Sequence, residues 1–484
     1  MHILFVKPPY QVAGYYGLGK RYIPTPLAEA CLIAYLKQEG YAPAMVDCHA
    51  REIDWEQVPD MLLKENPDVV CYSASMAAFH DSYMRFSAIV KATLPHAKVV
   101  AGGAHIGIVA EEVLKDDDTI DFVVYGEGEV TLTELVRALE AKETDFRSIN
   151  GLVYKENDRV IRTAERPIIK DMDTLPDPDL DVLIELENNH FSLFPPDWDK
   201  WTLLVTARGC PGTCTFCTAR ISQGPYRCYT AEKAFSLIRK VHDYGARTIW
   251  IDDLSFPVNR ERTEKLLDLI IASDMELNLI ALSTVSMIIR DKDIMHMYKK
   301  AGIQGILLGG ESPLKKDLMK YNKTVNDLKI KESVDILREA DILSWVFYII
   351  GDEDHSREDI LEIYNFADEV NSAVAVFGPA TPFPGTTYFD QLKESGLIKV
   401  FDYTYYDMTY AVMDTKHLKM EEIQEVKDGL AMAYSSKPER IDEFLNSSNP
   451  FVRHWYERLG KYVEKVHIHG DKTQRIPSMG IKGS

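Results

Sequence analysis

The chain has 484 residues, 46% of them hydrophobic, and a formal net charge of −20. That length exceeds one ordinary core and predicts two or three domains, while the apolar fraction excludes a disordered chain. The acidic balance, without any basic run, argues against a nucleic-acid partner, and no run of about 18 apolar residues predicts a membrane span.

Seven cysteines in a chain of this size are not a disulfide framework. The start, "MHILFVKPPY", has neither a basic region nor a cleavage site, so the expected location is cytoplasmic. Five short runs rich in Val, Ile and aromatics follow in chain order: 2–6, 44–47, 68–74, 98–103 and 121–126. Each ends in small or turn-forming residues, as buried parallel strands do. Segments of helical period fill the intervals. One is 25–40, with Pro26 near its start and Gly40 at its end; others are 82–93 and 129–142. This alternation predicts an α/β fold with a doubly wound, Rossmann-like sheet over residues 1–145.

Residues 151–163 read as a β-hairpin turning at Asn157 and Asp158, and the Pro- and Asp-rich stretch 166–181 as a linker. Hairpin and linker together are assigned 146–199. A second series of strands follows at 203–207, 248–252, 278–284, 305–309, 345–350 and 373–378, with helical segments such as 263–274 and 292–302 between them. Six such units predict a partial (β/α)6 barrel over 200–395, with ligands at the C-terminal strand ends. A mostly helical region, 396–484, opens on "FDYTYYDMTY" and is expected to face the substrate. Its candidate pocket residues are Tyr403, Tyr405, Tyr406 and Tyr410.

The densest chemistry is "GCPGTCTFC" (209–217), with Cys210, Cys214 and Cys217 in eight positions. A structural zinc site wants four closed ligands, usually from two separated CxxC knuckles, and no second knuckle is present. Cys228 lies eleven residues on, at the expected start of a helix. A 4Fe–4S cluster held by three cysteines keeps one iron open for a further ligand.

At these residues the chain resembles the radical S-adenosylmethionine (SAM) superfamily, whose CxxxCxxC pattern is Cys210, Cys214 and Cys217, with Phe216 as its aromatic. The resemblance implies that the amino and carboxyl groups of SAM fill the open iron. It also implies that one electron splits the sulfonium to give a 5′-deoxyadenosyl radical. Asp252 and Asp253 in "WIDDLSF" are then expected at the ammonium, and Glu311 in "GGESP" at the ribose. Ser283 and Thr284 are expected at the carboxylate, where Val285 stands at a position relatives often fill with Arg. Ile349, Gly351 and Ala380 are expected beside the adenine.

No G-x-G-x-x-G follows the first strand, so a dinucleotide is not expected there. The strand ends instead carry "SASMA" (73–77), "GGAH" (102–105) and "GEGEVT" (126–131), after a Pro8-Pro9 pair. This pattern resembles the cobalamin-binding domain of cobalamin-dependent radical SAM enzymes. The resemblance implies cobalamin contacts at Pro9, Tyr10, Asp47, Ser73, Ser75, Met76, Gly102, Gly103, His105, Gly126, Glu127 and Gly128. "DCHARE" has Asp47 and His49 but lacks the last glycine of D-x-H-x-x-G, so no histidine ligand to cobalt is expected. Cys31, Cys48 and Cys71 invite comparison with the second cluster of radical methylthiotransferases. Cys31 within a helix and Cys71 within a strand read instead as small buried hydrophobes.

The activity implied is that of a class B radical SAM methyltransferase acting on an unactivated, sp3 carbon. Overall likeness, rather than a motif, extends to archaeal enzymes that methylate Cα of a glutamine in methyl-coenzyme M reductase, so a protein or peptide substrate is expected. An external one-electron reductant of flavodoxin or ferredoxin type is required. Two rival readings are a cyclase or ring-rearranging enzyme of the same architecture, and a non-catalytic cobalamin and cluster carrier or sensor.

Overall fold

A computed structural model describes residues 1–10, 25–184, 194–196, 198, 200–323 and 327–469. Part of the expected linker (185–193, 197 and 199) and the polar end from 470 lie outside these residues. The first sheet holds seven strands: β1 (Ile3–Lys7), β2 (Ala44–Asp47), β3 (Val69–Ser73), β4 (Lys98–Gly102), β5 (Phe122–Val124), β6 (Leu152–Glu156) and β7 (Arg159–Arg162). Their order is β2-β1-β3-β4-β5-β6-β7. The first five are parallel and the hairpin β6–β7 adds antiparallel at the edge. Both faces are covered, so residues alternate between two cores: Leu4, Val6 and Val70 on one side, Ile3, Phe5 and Cys71 on the other. Asn157 and Asp158 take φ of 48° and 60°, the left-handed pair that a tight two-residue hairpin needs.

The second sheet holds β8 (Trp201–Leu204), β11 (Thr248–Ile251), β12 (Asn278–Ser283), β13 (Ile303–Glu311), β14 (Leu343–Ile350) and β15 (Val374–Pro379). It is parallel throughout, in the order β15-β14-β13-β12-β11-β8. Consecutive order with helical returns is the partial barrel expected from the sequence. One expected strand divides. Residues 203–207 do not run on, because the amides of Thr206 and Ala207 donate to the Asp253 carboxylate at 2.5 and 2.8 Å. The chain bends there into β9 (Ala207–Arg208), which pairs antiparallel with β10 (Arg227–Cys228). Cys228 is therefore in a short strand and not at a helix start. The helix Ala231–Tyr244 begins later, where Thr230 Oγ1 accepts from the Lys233 amide.

An open half-barrel exposes the inward side of its strands, and the C-terminal region closes it. Ile280, Leu307 and Trp345 form one cluster with Phe451 and Tyr456 of the helix Pro450–His469. Phe451 fits because Gly305 has no side chain: a Cβ there would stand 3.1 Å from its ring. The carboxyl edges of the two sheets meet. Phe383, beyond β15, packs on the core of the first domain, and the helix Ala104–Ile108 beyond β4 contacts the helix Ala219–Gln223 that follows the cysteine loop.

Phe451 is wholly buried, whereas Phe401 is 53% exposed. Phe451→Ala is expected to lower the unfolding free energy by about 3–5 kcal/mol in denaturant titrations, and Phe401→Ala by less than about 0.5 kcal/mol.

Candidate active site

Asp253 sets the geometry of the cysteine loop. It is fully buried and takes Thr206 Oγ1 at 2.5 Å besides the two amides, fixing the point where the chain leaves the barrel. Gly209 then turns at φ 77°, and a Cβ there would lie 2.3 Å from the Pro225 carbonyl oxygen. The sulfurs of Cys210 and Cys214 gather over Gly212, 3.4 and 3.7 Å from where its Cβ would be, and the Gly212 amide donates to Cys210 Sγ at 3.3 Å. The far side of the loop is tied down by Thr215 Oγ1 donating to the Lys320 carbonyl at 2.9 Å. Asn322 Nδ2 likewise donates to Thr213 Oγ1 at 2.6 Å. The Phe216 ring meets Tyr321 edge-on at 5.1 Å.

Among the described residues, the trio whose ligand atoms lie within 4.8 Å of one another is Asp352, Glu353 and Asp354, not the cysteines. The acidic trio is itself engaged: Lys320 pairs with all three carboxylates, and Tyr321 and Tyr388 donate to Asp352. Burial pushes the Cys214 and Cys217 thiols up, and the Lys323 ammonium works against it. Lys323 Nζ also donates to Glu311 Oε1 at 2.6 Å, so one cation faces both the cysteine loop and the end of β13. Nothing in the sequence marks Lys323, since it lies twelve residues beyond Glu311 without a motif.

A largely apolar cavity of about 180 Å³ opens beside the loop. It brings together Phe216, Glu311, Ile349 and Ala380 of the expected set, and adds Met408 and Tyr388, which sequence reasoning missed. Glu311 reaches it from a φ of 50°, where the pairing of β13 with β14 shifts register. Gly351 does not line the cavity; a Cβ on it would strike Ile423 at 2.7 Å, so it serves the packing of the helix Met420–Ser435. Ser283 is buried and bonds to the Thr284 carbonyl, and Thr284 Oγ1 pairs with Ser286, both at the end of β12. Asp252 and Asp253 separate in role. Asp253 is the anchor above and is not free to meet an ammonium, while Asp252 is solvent-accessible yet walled in by protein. Burial and then the Asp253 charge push the Asp252 carboxyl up to about 7.

In the first domain the expected cobalamin residues collect at the carboxyl edge. Tyr10 stacks on His49 at 4.8 Å, with Pro9 buried beside it. Asp47 is committed to Lys7 at 3.2 Å and to the amides of His49 and Ala50, which makes it a turn anchor. Ser73 and Ser75 pair at 3.2 Å, half-buried Met76 follows, and the Gly102 carbonyl accepts from the Ala74 amide with Gly103 against the same residue. His105 Nε2 lies 3.1 Å from His80 Nδ1. Burial, then the neighbouring His80, lowers His105 to about 3, so the His105 ring is neutral at ordinary pH, and burial lowers His80 as well. Gly126 is open, and Gly128 starts the helix Gly128–Glu140 against Leu32.

Two expectations are corrected here. The Glu127 carboxylate is not free for a ligand, because Arg208, Arg227 and the Ile169 amide all bind it. Tyr403 and Tyr406 do not form a pocket over the barrel mouth; they complete the core of the first domain, with Tyr403 edge-on to His80 and His105. Tyr405 and Tyr410 pack on each other, and of that stretch Met408 lines the barrel cavity. Cys31, Cys48 and Cys71 sit in a helix, after β2 and in β3, where burial pushes their thiols up.

Residues 21–136 match the B12 binding domain family and residues 204–367 the Radical SAM superfamily. An anaerobic magnesium-protoporphyrin IX monomethyl ester cyclase of Cereibacter sphaeroides is 29% identical over 429 residues, covering 87% of this chain and 68% of that one. An uncharacterized methyltransferase of Pyrococcus horikoshii is 27% identical over 454 residues, 93% and 96% of the two chains. The solved structure of TsrM from Kitasatospora setae, a radical SAM methyltransferase with cobalamin and a [4Fe–4S] cluster bound, shares the fold. Its TM-score is 0.73 at 15% identity, covering 96% of this chain and 100% of that one.

A cobalamin-binding sheet set edge to edge against a three-cysteine barrel defines a class of two-cofactor radical proteins. The chain belongs to the cobalamin-dependent radical SAM enzymes, and its cofactors are a 4Fe–4S cluster, SAM and cobalamin. Among the described residues no helix is long and apolar enough to cross a membrane.

Replacing Cys214 by Ser is expected to cut cluster iron per chain to roughly a quarter or less after anaerobic reconstitution, with Cys228→Ser at the wild-type level. Iron and sulfide analysis of the purified variants checks both.

Proposed function

We propose that the enzyme transfers a methyl group to an unactivated carbon. The observation that carries this reading is the meeting of two carboxyl edges, one bearing the expected cobalamin residues and the other the cysteine loop and its cavity. The relative from Pyrococcus horikoshii and TsrM are both named methyltransferases, which supports it. When bound, the cofactors supply hydrogen-atom abstraction from substrate and a methyl donor to the resulting carbon.

The chain's own residues hold and shield. Cys210, Cys214 and Cys217 are the cluster ligands in this reading. Asp252 faces the ammonium of SAM, Glu311 its ribose, and Ile349 and Ala380 its adenine. Lys323 offers the methionine carboxylate the positive charge that Val285 cannot. Phe216, Phe347, Val376 and Met408 give the cavity an apolar wall that excludes water from reactive species. Among the described residues that line it, Glu311 is the one that is charged. Tryptophan is the substrate bound in TsrM, a small molecule. A one-electron donor of flavodoxin or ferredoxin type completes the cycle.

A second reading is cyclisation without methyl transfer, because the relative from Cereibacter sphaeroides is a cyclase. The two separate without knowledge of the substrate. Reconstituted enzyme with cob(I)alamin and SAM carrying a trideuterated methyl group is expected to yield labelled methylcobalamin and S-adenosylhomocysteine. Unlabelled cobalamin alongside steady 5′-deoxyadenosine release overturns the methyltransferase reading in favour of the cyclase.

With its carboxyl raised to about 7, Asp252 is neutral below that pH and anionic above it. SAM affinity is therefore expected to strengthen as pH rises from about 6 to 8, and Asp252→Asn to abolish the dependence, as measured by equilibrium dialysis.

A further inference from the structure

The "GEGE" loop and the cysteine loop are joined by one group of four charged side chains. Arg208 Nη1 donates to Glu127 Oε1 at 3.0 Å and its Nη2 to Glu129 Oε1 at 2.6 Å. Arg227 Nη1 donates to the same Glu127 oxygen at 2.9 Å and to the Ile169 carbonyl at 3.0 Å. The other Glu127 oxygen accepts from the Ile169 amide at 2.6 Å. None of the four side chains is more than 15% exposed. Two arginines against two carboxylates leave no net charge, so the group fits its buried position.

Its covalent neighbours give the group its meaning. Glu127 and Glu129 stand at the start of the helix Gly128–Glu140, directly beyond β5 of the cobalamin-binding domain. Arg208 is two residues before Cys210, and β9 pairs it with Arg227 in register. From Arg208 to the first cluster ligand the only link is Gly209, whose close fit against the Pro225 carbonyl leaves it no slack. Gln223 and Gly224 hold the same segment, receiving the Gly209 and Cys210 amides at 3.1 and 3.4 Å.

We propose that Arg208 is a positioning residue that registers the cobalamin-binding domain against the cluster loop, so that the two cofactors keep a fixed separation. A planar guanidinium can grip two carboxylates at once in a set orientation, which an ammonium cannot. The inference rests on both cofactors being bound, as the proposed function requires, and is indifferent to whether the product is methylated or cyclised.

The test uses full-length enzyme loaded with cob(II)alamin and its reduced cluster, both paramagnetic, and reads their separation by pulsed electron paramagnetic resonance. Arg208→Gln is expected to retain both cofactors at wild-type stoichiometry while broadening the distance distribution roughly twofold. Arg208→Lys, reaching one carboxylate only, is expected to fall between the two. Should Arg208→Gln fail to fold, Glu129→Gln keeps the Arg208–Glu127 pair and is expected to broaden the distribution in the same direction. A distribution indistinguishable from wild type in a fully loaded variant overturns the proposal. It would leave the reading of the reaction untouched, since labelled methyl transfer to cobalamin is scored separately.

Discussion

The hold of Asp253 on Thr206 and Ala207 is the interaction from which the rest of the site follows. A parallel strand would use those two amides in its ladder, and a carboxylate just beyond the neighbouring strand β11 takes them instead. The first barrel strand therefore stops early, and the chain turns into a short antiparallel pair that carries Arg208 before the cysteines arrive. Burial makes this carboxylate costly to hold, pushing Asp253 up to about 6, and three donors offset that cost.

The fold was legible because its two periodicities are local. Strands covered on both faces read as short apolar runs, and the helices between them keep a stripe of three to four residues. The cysteine motif was legible for a similar reason: its three thiols lie within eight consecutive residues. Residues whose meaning depends on distant partners were not. Glu127 looks like part of a ligand loop until Arg208, 81 positions later, arrives beside it. Tyr403 and Tyr406 look like a substrate pocket until the chain returns them to the core of the first domain, more than 300 residues from β3. Lys323 had no pattern around it at all; a salt bridge to Glu311 gives it one.

The barrel shows a division of labour between its two ends. At the amino end of its strands, aromatic residues of the C-terminal helices fill the interior with tight apolar packing. At the carboxyl end, loops carry the cysteines, the carboxylates and the cavity, and the first domain covers them. An incomplete barrel needs both: a stopper that keeps the sheet rigid, and a cover that keeps water from the reacting groups.

Asp252 and Asp253 also show how narrowly such a site is drawn. Consecutive residues of an extended chain point to opposite sides, so one of these identical carboxyl groups clamps the fold and the other stays solvent-accessible. Adding or deleting a single residue in β11 would displace Asp253 from the clamp, an insertion bringing Asp252 to its place and a deletion Leu254. Helices and loops around the barrel can change length over evolutionary time, but this strand has no such latitude.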